Sequence, residues 1–178
     1  MGVTIHYPPQ PTADARGSEG ASVFLAGTID MGASRDWQQA VADALDGLCV
    51  DVDIFNPRRT DWDASWRQDI ASPEFHGQVS WELDHLSAAR VVAVNFERGS
   101  QSPITLLELG LLAGDTARNR ASIIVCCPPG FWRRGNVQIV CERFGIACVD
   151  TLEALIDGVI ARLAPAGSSS VTGASSAA

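Results

Sequence analysis

A chain of 178 residues with 46% apolar content suits one domain that buries a sizeable core. Its formal charge of -8 and pI near 4.7 argue against a nucleic-acid binder or an anionic-membrane binder, because affinity for phosphate backbones comes from clustered Lys and Arg. Lysine is absent and all basic charge is arginine, which suits bidentate pairing to carboxylate or phosphate.

The polar start, residues 1–20, contains no apolar core of a signal peptide and is expected to be flexible. Short apolar runs and helical patterns then alternate. The expected order is strand Ser22–Ala26, helix Ser34–Leu48, strand Val50–Phe55, helix Gln78–Ala89 and strand Val91–Phe96. A helix opened by Ser102 follows, then strand Ser122–Cys127, helix Val137–Phe144, strand Ile146–Val149 and helix Thr151–Leu163. Five such alternations predict an α/β three-layer sandwich, flavodoxin-like or Rossmann-like, with a five-stranded parallel sheet. The domain is expected over residues 21–164, ahead of a Ser/Ala/Gly-rich tail, 165–178, expected to be disordered. Eighteen apolar residues never run together, so no membrane span is expected and a cytoplasmic protein is the default reading.

The five cysteines, Cys49, Cys126, Cys127, Cys141 and Cys148, fall mostly in apolar segments without metal-ligand spacing and read as reduced core residues. His76 and His85 have no His or Cys at ligand spacing, so no metal is expected. Neither GxGxxG nor GxxxxGK[ST] occurs, which sets aside a dinucleotide fingerprint and a P-loop, and no cofactor is expected. Ser102 lacks the GxSxG setting of a nucleophilic serine.

In a parallel sheet the segments after the strands carry ligands. Here these are Gly27-Thr28, Asn56-Pro57-Arg58-Arg59 with the Trp62 loop, Asn95 onward, and Pro128 to Asn136. Arg58 and Arg59 suit either an anion or pairing with Asp61 and Asp63. Glu108 stands in the run Pro103-Ile104-Thr105-Leu106-Leu107-Glu108-Leu109-Gly110-Leu111-Leu112, a helix that reads as apolar on every face and therefore buried, with Ser102 as its cap. A carboxylate there needs either a raised pKa or dedicated donors, which suits an active site or a structural glutamate capping a loop. Gln78, Glu82 and His85 share one helical face, and Glu82 supplies a second carboxylate, the usual equipment for breaking a glycosidic bond.

Val23-Phe24-Leu25-Ala26-Gly27, Asn56-Pro57-Arg58-Arg59, Gln78 through Trp81-Glu82, Ser102-Pro103-Ile104-Thr105 leading into Glu108-Leu109-Gly110, and Phe131-Trp132-Arg133-Arg134-Gly135-Asn136-Val137 together resemble the nucleoside 2-deoxyribosyltransferase family, in its divergent branch. The resemblance implies that Glu108 is a nucleophile on the anomeric carbon of a 2'-deoxyribonucleoside, that Glu82 manages the proton of the leaving base, and that a second nucleobase takes the sugar. Substrate contacts are expected from Phe24, Gly27, Asn56, Arg58 and Arg59, and from Trp62 as a ring on which a base could stack. Gln78, Asn95, Ser102 and Asn136 complete that expected set, with Asn136 reaching in from a neighbouring subunit of a homo-oligomer.

Two positions depart from the family pattern: Phe24 stands where a tyrosine usually holds the nucleophile, and Ser102 where an aspartate contacts substrate. Those departures leave open a hydrolase acting on nucleoside 5'-monophosphates, with phosphate at Arg58, Arg59 or Ser102, or a silent nucleotide-binding module.

Overall fold

The computed structural model describes residues 2–10, 20–29, 35–48, 50–59 and 67–164. Six strands, β1 (Val3–His6), β2 (Ser22–Gly27), β3 (Val52–Phe55), β4 (Val91–Asn95), β5 (Ile123–Cys126) and β6 (Ala147–Val149), form one parallel sheet in the order β1-β3-β2-β4-β5-β6. Strands two through six reproduce the flavodoxin-like order. The sixth is β1, which lies in the segment expected to be flexible and pairs with β3 from Val3 opposite Val52 to His6 opposite Phe55. Its residues Val-Thr-Ile-His alternate apolar with polar on a partly exposed edge strand, so they do not form the unbroken apolar run that marks β2, β4 and β5.

Among the described residues five α-helices cover the sheet: α1 (Trp37–Asp46), α2 (Pro73–Ala88), α3 (Pro103–Gly114), α4 (Arg134–Phe144) and α5 (Leu152–Leu163). The central strands are apolar throughout because both faces are covered, as parallel sheets require. Alternation along β2 divides the core: Val23 and Leu25 pack with Trp37 and Leu45 of α1 and with Leu155 and Val159 of α5. Phe24 and Ala26 point to the other side, among Trp81 of α2, Leu109 and Leu112 of α3, and Val137 and Cys141 of α4.

Local chemistry sets the helix ends. Asp36 accepts a hydrogen bond from the Gln39 amide, and Thr151 accepts one from the Ala154 amide, each satisfying an amide that the first turn cannot. Pro73 and Pro103 occupy first-turn positions, where a missing N–H costs nothing. Gly145, at φ 67°, closes α4 in the left-handed conformation that glycine adopts without a Cβ penalty.

Helix α3 departs from the expectation of burial on all sides. Thr105, Glu108, Leu109, Leu112 and Ala113 form its buried stripe, whereas Ile104, Leu107 and Leu111 are 60%, 61% and 50% exposed. As an outer-layer helix it has only one face against the sheet, and its remaining apolar side chains face outward. No helix among the described residues is long and apolar enough to cross a membrane. The described cysteines are unpaired thiols, Cys126, Cys127 and Cys141 buried and Cys148 half-buried, while Cys49 and residues 165–178 lie outside the described residues.

Candidate active site

The order reverses between β2 and β4, and the crevice outside their carboxyl ends is where such sheets take ligands. Gly27 lies opposite Asn95 in the ladder, and the Thr28 amide donates to the Asn95 carbonyl at 3.0 Å. A Cβ on Gly27 would come within 2.5 Å of that carbonyl oxygen and 2.7 Å of the Trp37 ring, so the glycine is demanded by packing. Both Asn95 and Thr28 are buried.

The segment from Glu97 to Ser102 turns over this crevice. Ser102 is left-handed, with φ 43°, a conformation a non-glycine residue holds only where its surroundings fix it. Its hydroxyl lies 2.6 Å from that of Thr28 and 2.9 Å from that of Ser100, and Thr28 and Ser100 are 3.1 Å apart. The Thr28 hydroxyl also accepts from the Glu97 amide. Contrary to the expectation from sequence, Ser102 makes no side-chain cap of α3; its carbonyl accepts the first helical bond, from Leu106. The left-handed backbone aims the hydroxyl back at Thr28 instead of forward along the helix.

From that start α3 carries Glu108 about a turn and a half along, onto the buried stripe, where it is 9% exposed. The carboxyl pKa is pushed up to about 8, chiefly by burial and secondly by the charge of Glu82. Among the described residues no donor hydrogen-bonds to the Glu108 carboxyl. Phe24, fully buried beneath this region, has no hydroxyl to offer.

Glu82 comes from the neighbouring helix α2. Burial raises its pKa too, opposed by a 2.6 Å hydrogen bond from Gln78 Nε2, which favours the ionised form. The Gln78 amide also donates to the Pro57 carbonyl at 3.4 Å, and its oxygen accepts from Arg59 at 3.5 Å. A polar relay therefore runs from the β3 strand end, Arg59 to Gln78 to Glu82, towards Glu108. Both carboxyls are raised by burial, Glu108 further by the charge of Glu82, and Glu108 at about 8 retains its proton near neutral pH.

Other expected contacts stand apart. Asn56 is buried and turns its side-chain oxygen to the Arg58 amide at 2.9 Å, bracing the strand end. Arg58 reaches the other face of the sheet, donating to the Arg35 carbonyl and lying 3.7 Å from Asp36. The alternative partners expected for it, Asp61 and Asp63, lie outside the described residues. Asn136 is exposed in the first turn of α4. Trp62 likewise lies outside the described residues. His85 leaves the Glu82 face for the Trp81 carbonyl, 2.6 Å away, and stacks on the Trp81 ring; the exposed His76 meets Ser80. No group of three or more His, Cys, Asp or Glu is arranged for a metal among the described residues. The hydroxyls of Thr28 and Ser100 were not distinguishable in sequence, because nothing in their spacing separates them from ordinary loop residues.

Comparison with curated proteins gives no match. A family model described as nucleoside 2-deoxyribosyltransferase like matches residues 20–131, which is more than half of the chain and spans Glu82, Ser102 and Glu108 but stops short of Asn136. The chain belongs to that nucleoside 2-deoxyribosyltransferase-like family.

Proposed function

We propose that this protein cleaves the N-glycosidic bond of a 2'-deoxyribonucleoside through Glu108 and passes the sugar to another nucleobase. The observation that carries the reading is a carboxyl 9% exposed, on the helix that follows β4, with a second carboxyl close enough to raise its pKa. In the first step a Glu108 carboxylate oxygen bonds to C1', the bond from C1' to the base nitrogen breaks, and its electron pair leaves with the base. The base takes up a proton from the Glu82 side of the pair. In the second step the nitrogen of an incoming base bonds to C1', its N–H proton passes to the Glu82 carboxylate, the bond from C1' to the Glu108 oxygen breaks, and two inversions give net retention.

Burial serves both steps by keeping water from the covalent intermediate. It also means that Glu108 must lose its proton before attack, and Glu82 is the neighbouring group able to receive it. Gln78 and Arg59 position Glu82 by the bonds described above. Ile104, Leu107 and Leu111 leave an apolar stripe on α3, and Ile139 is 67% exposed on α4. We assign these faces to contacts between subunits, in the setting where Asn136 of one copy would reach the sugar of the next.

A second reading, a hydrolase acting on nucleoside 5'-monophosphates, is favoured by one feature. Thr28, Ser100 and Ser102 present three hydroxyls at the start of α3, where the helix dipole favours an anion. Product analysis separates the two. Incubation of a deoxyribonucleoside with a second free base yields a new nucleoside if the chain is a transferase, whereas release of sugar phosphate from a nucleotide, with no new nucleoside, supports the hydrolase. No turnover of either donor supports a silent binding module.

A further inference from the structure

The sheet edge opposite Glu108 holds an open cavity of about 490 Å³, within the range of small-ligand sites. It lies where β4 and β5 begin, between the end of α2, the turn after α3 and the last turn of α5. Arg90, Arg118 and Arg162 line it, with Asp115 as the only lining carboxylate among the described residues.

The three guanidiniums are held differently. Arg118 donates to the carbonyls of Leu86, Ser87 and Ala89, closing the end of α2, and Arg162 donates to those of Ala121 and Gly158. These bonds fix both side chains in place but neutralise neither, since a carbonyl carries no net charge. Arg90 is exposed, and its side chain makes no hydrogen bond or ion pair among the described residues. Asp115 turns its carboxylate to the Ala117 amide at 2.9 Å, and no carboxylate among the described residues lies within ion-pair distance of the three arginines.

Burial lowers the pKa of both Arg118 and Arg162, opposed at Arg118 by the charge of Asp115 and at Arg162 by no carboxylate, so the fold carries the cost of cations that are only partly compensated. This gathering of positive charge stands in a chain whose net charge is -8. Three guanidiniums against one carboxylate leave two positive charges, the complement of a phosphate monoester near neutral pH. Arg118 Nε and Arg162 Nη2 remain as donors, preorganised by the bonds that their other nitrogens make, and guanidinium forks match phosphoryl oxygens.

We propose that this basin binds a small phosphorylated anion at a site separate from Glu108. The test is calorimetric titration of the full chain with inorganic phosphate and with pyrophosphate, at ionic strength held constant with sodium chloride. Saturable binding is expected, weakened about tenfold or more in Arg90→Gln and in Arg162→Gln, as loss of one charge-assisted hydrogen bond implies, and unchanged in Glu108→Gln. Arg90 has no internal bonds to lose, so Arg90→Gln decides the matter even if Arg162→Gln fails to fold. Absence of saturable binding, equal affinity in Arg90→Gln, or loss of binding in Glu108→Gln or Ser102→Ala would overturn the proposal; the last result would move the anion to the Glu108 edge.

Discussion

Gln78 gives Glu82 a 2.6 Å hydrogen bond, while Glu108, one helix away, receives none from any described residue. The asymmetry divides two buried acids. Burial raises both, but the Gln78 hydrogen bond opposes the rise at Glu82, while Glu108, pushed up to about 8, keeps the proton in the free protein. If Glu108 attacks as a carboxylate, the pH profile of kcat/KM must rise as the pair gives up its first proton. Removing the Gln78 donor takes away the one influence that lowers Glu82. Gln78→Leu is therefore predicted to move the acidic limb to higher pH, and an unshifted limb in an active Gln78→Leu variant would show that the hydrogen bond does not tune the pair.

Stability should carry the same signature. Glu108 rises from an ordinary 4.5 in the unfolded chain to about 8 when folded, so the folded state holds the proton more tightly. Its neutral form is fully tolerated below pH 4.5. Between pH 4.5 and 8 the fold loses stability at up to about 1.4 kcal/mol per unit on account of this one group. Glu108→Gln is accordingly predicted to melt higher than the wild type above pH 6, with the difference growing towards pH 8 and vanishing near pH 4. Parallel melting curves for the two proteins across that range would contradict it.

Close packing at the reversal point makes Gly27 sensitive. Gly27→Ala sets a Cβ 2.5 Å from the Asn95 carbonyl oxygen, which is backbone and cannot swing aside. Denaturant unfolding should register a loss of about 1–3 kcal/mol, the usual cost of overpacking. A variant as stable as the wild type would mean that β2 and β4 separate freely there.

Thiol reactivity should be graded. Burial pushes Cys126 up to about 12 and Cys127 to about 11, whereas a hydrogen bond from Cys141 lowers Cys148, which is also the more accessible. Alkylation of the native protein, read on tryptic peptides, is predicted to label the 144–162 peptide well before the 121–133 peptide. The reverse order would contradict the described packing of β5.

Much of the fold was legible because parallel strands buried on both faces are unbroken apolar runs, as in Val91-Val92-Ala93-Val94. β1 was not, since Val3–His6 is short, polar in part, and draws its hydrogen bonds from an edge that sequence does not display. Glu108 stood out as the one acid in an apolar helix, and Gln78 with Glu82 by their four-residue spacing. Their coupling was not legible, because it depends on how α2 and α3 settle side by side on the sheet. The turn of Ser102 towards Thr28 was equally hidden: a serine before Pro103 reads as a helix cap, and only the left-handed backbone redirects it.

The central claim is a covalent bond between Glu108 and the anomeric carbon of a deoxyribose. Rapid acid quench of the full chain with a 2'-deoxyribonucleoside, followed by tryptic mapping of residues 99–118, tests it directly. One deoxyribosyl unit is expected on Glu108, absent in Glu108→Gln and discharged by added nucleobase. Full turnover by Glu108→Gln, or a sugar adduct at another residue, would contradict it.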